Sequence, residues 1–164
     1  MNIIEIKLKK ATISDAQELF EIQIKSFLPM LKKYEDYKTN PGNGTIEGVM
    51  RRIKGTTDAN NAFYKIMKNE KTVGAIDIWW ENNKTKFNVG ILFISPEYQG
   101  EGVAQTAITE VEELYTQAAS WHLNTILEEK KNCYLYEKMG YTRYGVEIKL
   151  NEKTTLIFYQ KTIH

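Results

Sequence analysis

The sequence has one cysteine and no excess of charge of either sign, and both absences narrow the possible functions. Because Cys133 has no second cysteine to pair with, an internal disulfide is excluded and a reducing, cytoplasmic location is expected. The formal net charge of +1 gives no field that would indicate a nucleic-acid or membrane partner. No apolar run is long enough to span a bilayer, and residues 1–10 lack the unbroken apolar core of a signal peptide. We therefore expect a soluble protein with a small partner.

The first third of the chain predicts a strand, a helix and a long connection. A chain of 164 residues fits one domain, over 1–164, present as a monomer or homodimer. Apolar and charged residues alternate over 4–9, which is typical of a half-buried strand. Helical spacing over Ala16–Phe27 predicts a helix that begins at a capping box of Ser14 and Gln17. Prolines and glycines interrupt Leu28–Thr45, so this segment is predicted to be a mobile surface connection with a functional role.

The rest of the chain predicts a strand meander followed by alternating helices and strands. After a short helix, three strands follow one another with short turns between them, one of which falls at Asn82-Asn83. A glycine-rich segment then leads into a long amphipathic helix. The predicted elements are a helix at 46–53, strands at 62–67, 72–80 and 86–94, a helix at 104–118, a strand at 122–127, a helix at 132–139, and strands at 141–150 and 154–162.

The segment Gln99-Gly100-Glu101-Gly102-Val103-Ala104 stands where a strand becomes a helix. Backbone amides at a helix start lack intrahelical acceptors and point outward together, which suits a phosphate group. Small residues in this turn let the oxygens of a ligand approach the main chain. Taken alone, the segment is equally compatible with a loop that only changes the direction of the chain.

Two motifs resemble the GNAT superfamily of N-acetyltransferases. The pattern Gln/Arg-x-x-Gly-x-Gly/Ala of that family is matched by Gln99, Gly102 and Ala104, with Pro96 a few residues earlier. The run Leu135-Tyr136-Glu137-Lys138-Met139-Gly140-Tyr141 is similar to the Leu-Tyr-Glu-Lys-x-Gly-Phe/Tyr run of the family, with Asn132 just upstream. Together with the N-terminal strand and helix, the resemblance covers essentially the whole chain.

The resemblance implies both a fold and a cofactor site. The fold is α/β (α+β), with a mixed, mostly antiparallel central sheet, two splayed central strands, and helices on both faces. Acetyl-CoA is the implied co-substrate, with no metal. Its pantetheine arm would lie along the main chain of Leu92 and Ile94, and its pyrophosphate would lie at the turn. No residue of this turn is basic, so backbone dipoles and Lys130 or Lys131 would have to bind the phosphates, with the Glu101 carboxylate facing solvent. The implied cofactor-binding residues are Leu92, Ile94, Gln99, Gly100, Glu101, Gly102, Val103, Ala104 and Asn132.

Acyl transfer to an amine requires a proton donor for the departing thiolate and a base for the amine. The resemblance assigns the first role to Tyr136. Without the motif, this residue would be interpreted as a core aromatic whose hydroxyl donates to a backbone acceptor. Tyr134 falls elsewhere on the same helix and is the weaker candidate.

No residue of the sequence stands out as the base. If the Asn82-Asn83 hairpin has a two-residue loop, Asp77 lies across from Asn88 in an apolar strand, where burial would raise the pKa of its carboxyl. Asp77 is then either the base or one half of a structural hydrogen-bonded pair. Glu128 and Glu129 are rival bases that would act through a water, and His122 is expected to be a half-exposed sheet residue.

The expected activity is transfer of an acetyl group from acetyl-CoA to a primary amine of a small molecule or peptide. The alternative is a non-catalytic sensor that binds acyl-CoA without modifying an acceptor. The sequence has no basic stripe that would favour nucleic acid and no Cys/His cluster that would favour a metal. Trp79, Trp80, Tyr34 and Tyr37 either line an acceptor pocket or belong to the core, and the identity of the acceptor is not readable.

Overall fold

The computed structural model describes residues 5–55, 60–81 and 85–163. Within these ranges one seven-stranded sheet has the order β1-β2-β3-β4-β5-β7-β6, and four α-helices flank it. The predicted Asn82-Asn83 turn lies outside the described residues. In chain order the elements are β1 (Ile6–Lys10), α1 (Ala16–Tyr34), α2 (Ile46–Lys54), β2 (Asn60–Lys68), β3 (Lys71–Trp80), β4 (Lys86–Ile94), α3 (Val103–Leu114), β5 (Ser120–Ile126), α4 (Lys130–Lys138), β6 (Thr142–Lys149) and β7 (Thr155–Thr162).

Two hydrophobic cores cover the two faces of the sheet. Helices α3 and α4 pack on one face, where Trp121, Tyr141 and Tyr159 are almost fully buried. Helices α1 and α2 pack on the other face through residues such as Leu19 and Val49. All strand pairs are antiparallel except β4 with β5. The predicted fold class is therefore confirmed. None of the helices in the described part of the chain is long and apolar enough to cross a membrane.

The prediction of a long connection over Leu28–Thr45 is wrong in its first part, because α1 continues to Tyr34 with Pro29 inside it. A proline in a helix removes one backbone hydrogen bond and disfavours the helix by about 3 kcal/mol. Burial of Leu31 and Tyr34 offsets this loss, since a buried large apolar side chain stabilises by about 1.5–3 kcal/mol. Packing therefore overrides the local signal of the proline.

Local hydrogen bonds order the remaining part of that segment. The Asp36 carboxylate accepts from the amide of Thr39 at 3.1 Å, and Asn40 Oδ1 accepts from the amide of Gly42 at 2.8 Å. Gln23 of α1 donates to the carbonyl of Pro41 at 3.0 Å. The 35–45 segment is thereby fastened to α1.

The N-terminal cap of the first helical region also differs from the prediction. The carboxylate of Asp15 accepts from the amide of Thr12 at 2.7 Å, so the reciprocal cap involves these two residues and not Ser14 with Gln17. Gln17 instead donates to Glu21 at 3.1 Å, one turn further along the helix. Asp15 is also paired with Lys65 of β2 at 3.0 Å, which ties the helix start to the sheet.

Strand β4 contains the irregularity that shapes the site. Ile76 pairs with Leu92 and Ile78 pairs with Val89, so two residues of β4, Gly90 and Ile91, oppose one residue of β3. This arrangement is a β-bulge, which bends a strand and changes the direction of its side chains. On its other side, β4 pairs with β5 only through Lys86–Ser120, Phe87–Trp121 and Asn88–His122 among the described residues, and the two strands then diverge.

Candidate active site

A cavity of about 380 Å³ fills the gap between the diverging strands β4 and β5. Its walls include residues 89–92 of β4 and 123–126 of β5. Phe27 and Met30 of α1 border it on one face of the sheet, and Asn132 and Tyr136 of α4 border it on the other. The gap therefore opens the sheet to both faces, and its volume is in the range of small-molecule sites.

The free edge of β4 faces this gap. In an antiparallel pair, successive residues of a strand point their amide and carbonyl alternately toward and away from the partner strand. The amide of Ser95 donates to the carbonyl of Val73 at 2.7 Å, so Ser95 points toward β3. The backbone groups of Ile94 and Leu92 therefore point away from β3. The carbonyl of Ile94 already accepts from Gln99 Nε2 at 2.9 Å and from Ser26 Oγ at 3.0 Å. The backbone groups of Leu92 have no such partners among the described residues, so they remain available to an extended ligand.

The glycine turn contains two residues with a left-handed backbone. Gly100 and Gly102 have φ angles of +80° and +81°, which disfavour other residues. Gly102 immediately precedes α3, and its carbonyl accepts from the amide of Thr106 at 3.0 Å. The amides before Thr106 therefore have no intrahelical acceptor. The side chain of Gln99 turns back onto Ile94, so this residue braces the end of β4.

Tyr136 is buried in α4 and borders the cavity. Its ring contacts those of Tyr141 and Tyr159, with centroids 6.2 and 6.0 Å away. Its hydroxyl makes no hydrogen bond within the described residues, so the backbone acceptor expected of a purely structural tyrosine is not found there. Burial raises the pKa of Tyr136 to about 12, with a smaller contribution from Cys133, so the hydroxyl stays protonated at neutral pH.

Asp77 lies opposite the bulge of β4, and this corrects the predicted pairing with Asn88. Asn88 pairs instead with Trp79, because the bulge shifts the register between the hairpin end and position 77. Asp77 Oδ2 lies 2.8 Å from the place that a Cβ atom at Gly90 would occupy. Gly90 is exposed and lines the cavity. The missing side chain at position 90 therefore brings the carboxylate of Asp77 next to the cavity wall.

Burial makes the carboxyl of Asp77 a stronger base than usual. It raises the pKa of Asp77 to about 6, while a hydrogen bond from Asn61 and the charge of Arg52 act in the opposite direction. Asn61 Nδ2 donates to Asp77 Oδ1 and to the carbonyl of Arg52, at 2.9 Å in each case. A buried carboxyl with a raised pKa beside a cavity is typical of a functional site.

The sequence matches the family model of the acetyltransferase (GNAT) domain over residues 43–161. The chain belongs to the GNAT acetyltransferase family. This confirms the resemblance drawn from the turn at Gly102 and from the run at Tyr136, and it makes the protein an acetyltransferase. A comparison of the sequence with curated proteins finds no match.

Solved structures of other acetyltransferases share the fold at low sequence identity. An acetyl transferase from Salmonella typhimurium that modifies the N-terminal serine of 50S ribosomal subunit protein L7/L12 has a TM-score of 0.78 at 16% identity, over 97% of this chain and 95% of that chain. The PaiA N-acetyltransferase from Thermoplasma acidophilum, in complex with coenzyme A, has a TM-score of 0.70 at 15% identity, over 96% and 99%. A chimera of the Vibrio cholerae spermidine N-acetyltransferase SpeG and hSSAT has a TM-score of 0.75 at 15% identity, over 96% and 95%.

In this GNAT protein the β2–β3 hairpin places two lysines near the residues that precede and form the glycine turn. Lys68 donates to the carboxylate of Glu101 at 2.6 Å, and its Nζ lies 5.3 Å from the ring centroid of Tyr98. Lys71 Nζ lies 5.7 Å from the same ring. Lys130 and Lys131, the cations considered from the sequence, are exposed at the start of α4. The sequence analysis did not consider Lys68 and Lys71, although they stand on either side of the turn between β2 and β3.

The rival bases are occupied by structural contacts. Glu128 accepts from the amide and hydroxyl of Thr155 at 2.8 and 3.1 Å, and Glu129 accepts from the hydroxyl of Tyr34 at 3.0 Å. His122 lies within hydrogen-bond distance of Ser120 Oγ and is more buried than predicted. Neither glutamate nor His122 lines the cavity described above, and Asp77 does not line it directly but lies behind Gly90, which does. Within the described residues no three His, Cys, Asp or Glu side chains form a group that could hold a metal.

The aromatic residues proposed for an acceptor pocket do not line this cavity. Trp80 packs against Phe87 and Tyr115 with centroids 5.6 Å away, so it belongs to the core. Tyr34 is buried, whereas Tyr37 and Trp79 are exposed. Phe27 and Met30 of α1 border the cavity instead. Sequence reasoning missed Met30 because Pro29 suggested that the helix had already ended.

Proposed function

We propose that the protein transfers the acetyl group of acetyl-CoA to a primary amine of a small molecule or peptide by direct attack. The observation that carries the proposal is the meeting of three features at one gap in the sheet. These are the free edge of β4, the buried hydroxyl of Tyr136 and the carboxylate of Asp77 behind Gly90. Family membership supports acetyl transfer, and this geometry supports an amine as the acceptor.

The proposed position of acetyl-CoA follows from the unpaired backbone groups. Its pyrophosphate would accept from the amides of the turn at 100–104, at the positive end of the α3 dipole. Its pantetheine arm would add to the free edge of β4 at Leu92, as an extended ligand adds to a sheet. The amide of Ile94 is free to join, while its carbonyl is shared with Gln99. Lys68 and Lys71 would complement the phosphate charge beside the turn.

Starting from the ammonium form, the chemistry removes two protons from the acceptor nitrogen and supplies one to the leaving group. The ammonium form of the acceptor passes a proton to the carboxylate of Asp77, and the free amine attacks the thioester carbonyl carbon. The new C–N bond forms and the C–S bond breaks. The Tyr136 hydroxyl donates to the departing sulfur, and its high pKa keeps this donor in its protonated form until the thiolate develops. The second proton, which the nitrogen loses as the amide forms, restores the Tyr136 hydroxyl, and Asp77 releases its proton to solvent.

The alternative function, a sensor that binds acyl-CoA without turnover, does not require Asp77. Burying a carboxylate destabilises a fold unless a charge or hydrogen bonds compensate it fully, and the pKa of about 6 shows incomplete compensation. The deciding experiment measures thiol release from acetyl-CoA with a library of amines. Amine-dependent thiol release supports the enzyme, and binding of acetyl-CoA without release supports the sensor.

Substitution of Gly102 by leucine is expected to weaken coenzyme A binding by at least about 10-fold. A side chain has space at this position, since no atom lies within 4 Å of the place that a Cβ would take, but the left-handed backbone disfavours leucine by about 1–2 kcal/mol. The amides of the turn would therefore rotate away from the phosphate, or the new side chain would cover them. Isothermal titration calorimetry with coenzyme A gives the affinity directly.

Gly145 provides a matched control for this substitution. It also has a left-handed backbone, with φ of +71°, and a Cβ there would have no atom within 4 Å, but it lies on β6. Gly145→Leu should lower the melting temperature to a similar extent and leave coenzyme A affinity unchanged. Equal affinity of Gly102→Leu and the native protein would exclude the pyrophosphate from this turn.

A further inference from the structure

Helix α2 directs one guanidinium toward the cavity. Arg52 follows the fully buried Val49 by three residues, so helical spacing turns it toward the sheet, whereas Arg51 is exposed. Arg52 is half-buried and lines the cavity together with Gly90. The catalytic scheme above gives this residue no role.

The charge of Arg52 is only partly compensated within the described residues. Burial lowers the pKa of Arg52, the neighbouring Arg51 adds to this effect, and the Asp77 carboxylate acts against it. No carboxylate oxygen of residues 5–55, 60–81 and 85–163 forms an ion pair with Arg52 within 4.0 Å. A cation withdrawn from water is destabilising unless it is paired. An anionic group on a ligand in the cavity would supply that partner.

The other carboxylate that borders this side of the cavity is already satisfied. Asp36 accepts from the amides of Lys38 and Thr39 at 3.3 and 3.1 Å, and also from the hydroxyl of Thr39. Its charge therefore stabilises the turn at 36–39. The two groups left for a ligand are of opposite sign, the guanidinium of Arg52 and the carboxylate of Asp77 behind Gly90.

Apolar side chains complete the same region. Phe27 and Met30 of α1 and Pro41 border the cavity on the side of the sheet that carries α2. Gln23 holds the segment that contains Pro41 in place at 3.0 Å. An acceptor must therefore fit beneath this segment, with an apolar portion against α1 and its charged portion between Arg52 and Asp77.

We infer that the acceptor is a small apolar α-amino acid or a close analogue, bound with its carboxylate on Arg52 and its amine toward Asp77. This inference rests on the proposed amine acetylation at the same site. Arginine suits the role because its planar guanidinium donates two parallel hydrogen bonds to one carboxylate. Arg52 acts as a specificity-determining residue, since it selects the acceptor and does not touch the reacting atoms.

Kinetics with matched acceptor pairs test the assignment. Leucine, methionine and phenylalanine are each compared with the amine that lacks the carboxylate, namely isoamylamine, 3-(methylthio)propylamine and phenethylamine. The native protein should favour at least one amino acid over its matched amine by about 10-fold or more in kcat/KM. Because the charge of Arg52 lowers the pKa of Asp77, the native protein and Arg52→Met are compared at an alkaline pH where the Asp77 carboxylate is ionised. There Arg52→Met should lower kcat/KM for that amino acid by about 10- to 100-fold, the range of a charge-assisted hydrogen bond, and should leave the matched amine within about 2-fold. Arg52→Lys should restore part of the preference.

Arg51→Met is the matched control, because it removes the same side chain from the next, exposed position of the same helix. It should leave the preference for the amino acid unchanged. Circular dichroism and coenzyme A affinity should be the same in both methionine variants, which shows that the fold and the cofactor site are intact. A preference of the native protein for the decarboxylated amines, or an equal loss for both members of a pair in Arg52→Met, would overturn the inference.

Failure of the inference and failure of the proposed function have separate signatures. Calorimetric titration of the coenzyme A complex with the three amino acids measures binding without any acyl transfer. Binding that Arg52→Met weakens supports the inference even if no amine promotes thiol release, in which case only the proposed function fails. Thiol release with amines, together with no Arg52-dependent binding or preference, overturns the inference and leaves the proposed function standing.

Discussion

Replacing Asp77 by asparagine is expected to lower kcat/KM at neutral pH by about 10²- to 10³-fold, within the usual contribution of a general base. Asparagine has nearly the same shape, and its Oδ1 can still accept from Asn61, which donates to Asp77 at 2.9 Å. The change therefore removes the ability to take a proton while keeping the packing opposite Gly90. Steady-state thiol release as a function of pH is the measurement.

The kcat/KM of the native protein should fall at acidic pH, and Asp77→Asn should abolish this fall. Burial raises the pKa of Asp77 to about 6, so the carboxylate loses its capacity to accept a proton as the pH falls through this value. kcat/KM should therefore decline below about pH 6. A native profile with no change between about pH 5 and pH 7 would contradict the assignment of Asp77 as the base.

Asp77→Asn should also raise the free energy of unfolding at neutral pH. Because the pKa of Asp77 is higher in the folded protein than its usual 3.8, the folded state holds the proton more tightly than the unfolded state does. The resulting stabilisation is present at low pH and is lost as the pH rises through about 6. We expect Asp77→Asn to increase the free energy of unfolding at pH 7 by roughly 1–3 kcal/mol. If the negative charge of Asp77 stabilised the fold, the substitution would lower the free energy of unfolding instead. Glu128→Gln serves as the control, and its turnover should stay at the native value.

Replacing Tyr136 by phenylalanine is expected to lower kcat by about 10²-fold or more, with coenzyme A affinity little changed. The substitution removes one hydroxyl and almost no volume from a buried site. Without that hydroxyl, the departing sulfur loses the proton donor assigned to it. Thiol release under saturating acetyl-CoA measures the effect, and calorimetry with coenzyme A checks the affinity.

The melting temperature of this variant separates catalysis from structure. Loss of a buried hydroxyl that is hydrogen-bonded within the protein costs about 1 kcal/mol, but the Tyr136 hydroxyl has no such bond among the described residues, so stability should be nearly unchanged. Tyr134→Phe is the control, since Tyr134 is 71% exposed on the same helix. Near-native turnover of Tyr136→Phe would mean that water or another group protonates the thiolate.

Local patterns were sufficient to predict most of the fold. The meander, the long helix after Gly102 and the final hairpin all follow from apolar spacing that agrees with the tertiary structure. The extent of α1 could not be predicted, because Pro29 signals a helix end and only the burial of Leu31 and Tyr34 outweighs it. Energies that come from contacts distant in the sequence are invisible to a local pattern.

The candidate site was predictable only where motifs define it. The run that contains Tyr136 and the turn around Gly102 are short and contiguous, so the sequence reveals them. The position of Asp77 depends on the bulge at Gly90 and Ile91, and one extra residue in β4 is enough to change the residue that faces it. Arg52 belongs to a helix with several charged residues, and its direction depends on the packing of α2.

The three-pair junction between β4 and β5 has a consequence for how the molecule unfolds. Strands β1–β4 and strands β5–β7 each form an extensive ladder, whereas the contact between them along the sheet is short. Along the sheet the two halves are joined only by Lys86–Ser120 to Asn88–His122 among the described residues, so the core beneath α3 and α4 supplies most of the contact between them. Acetyl-CoA in the gap would contact both halves, so ligand binding would add to this contact and protect the amides of β5 from exchange.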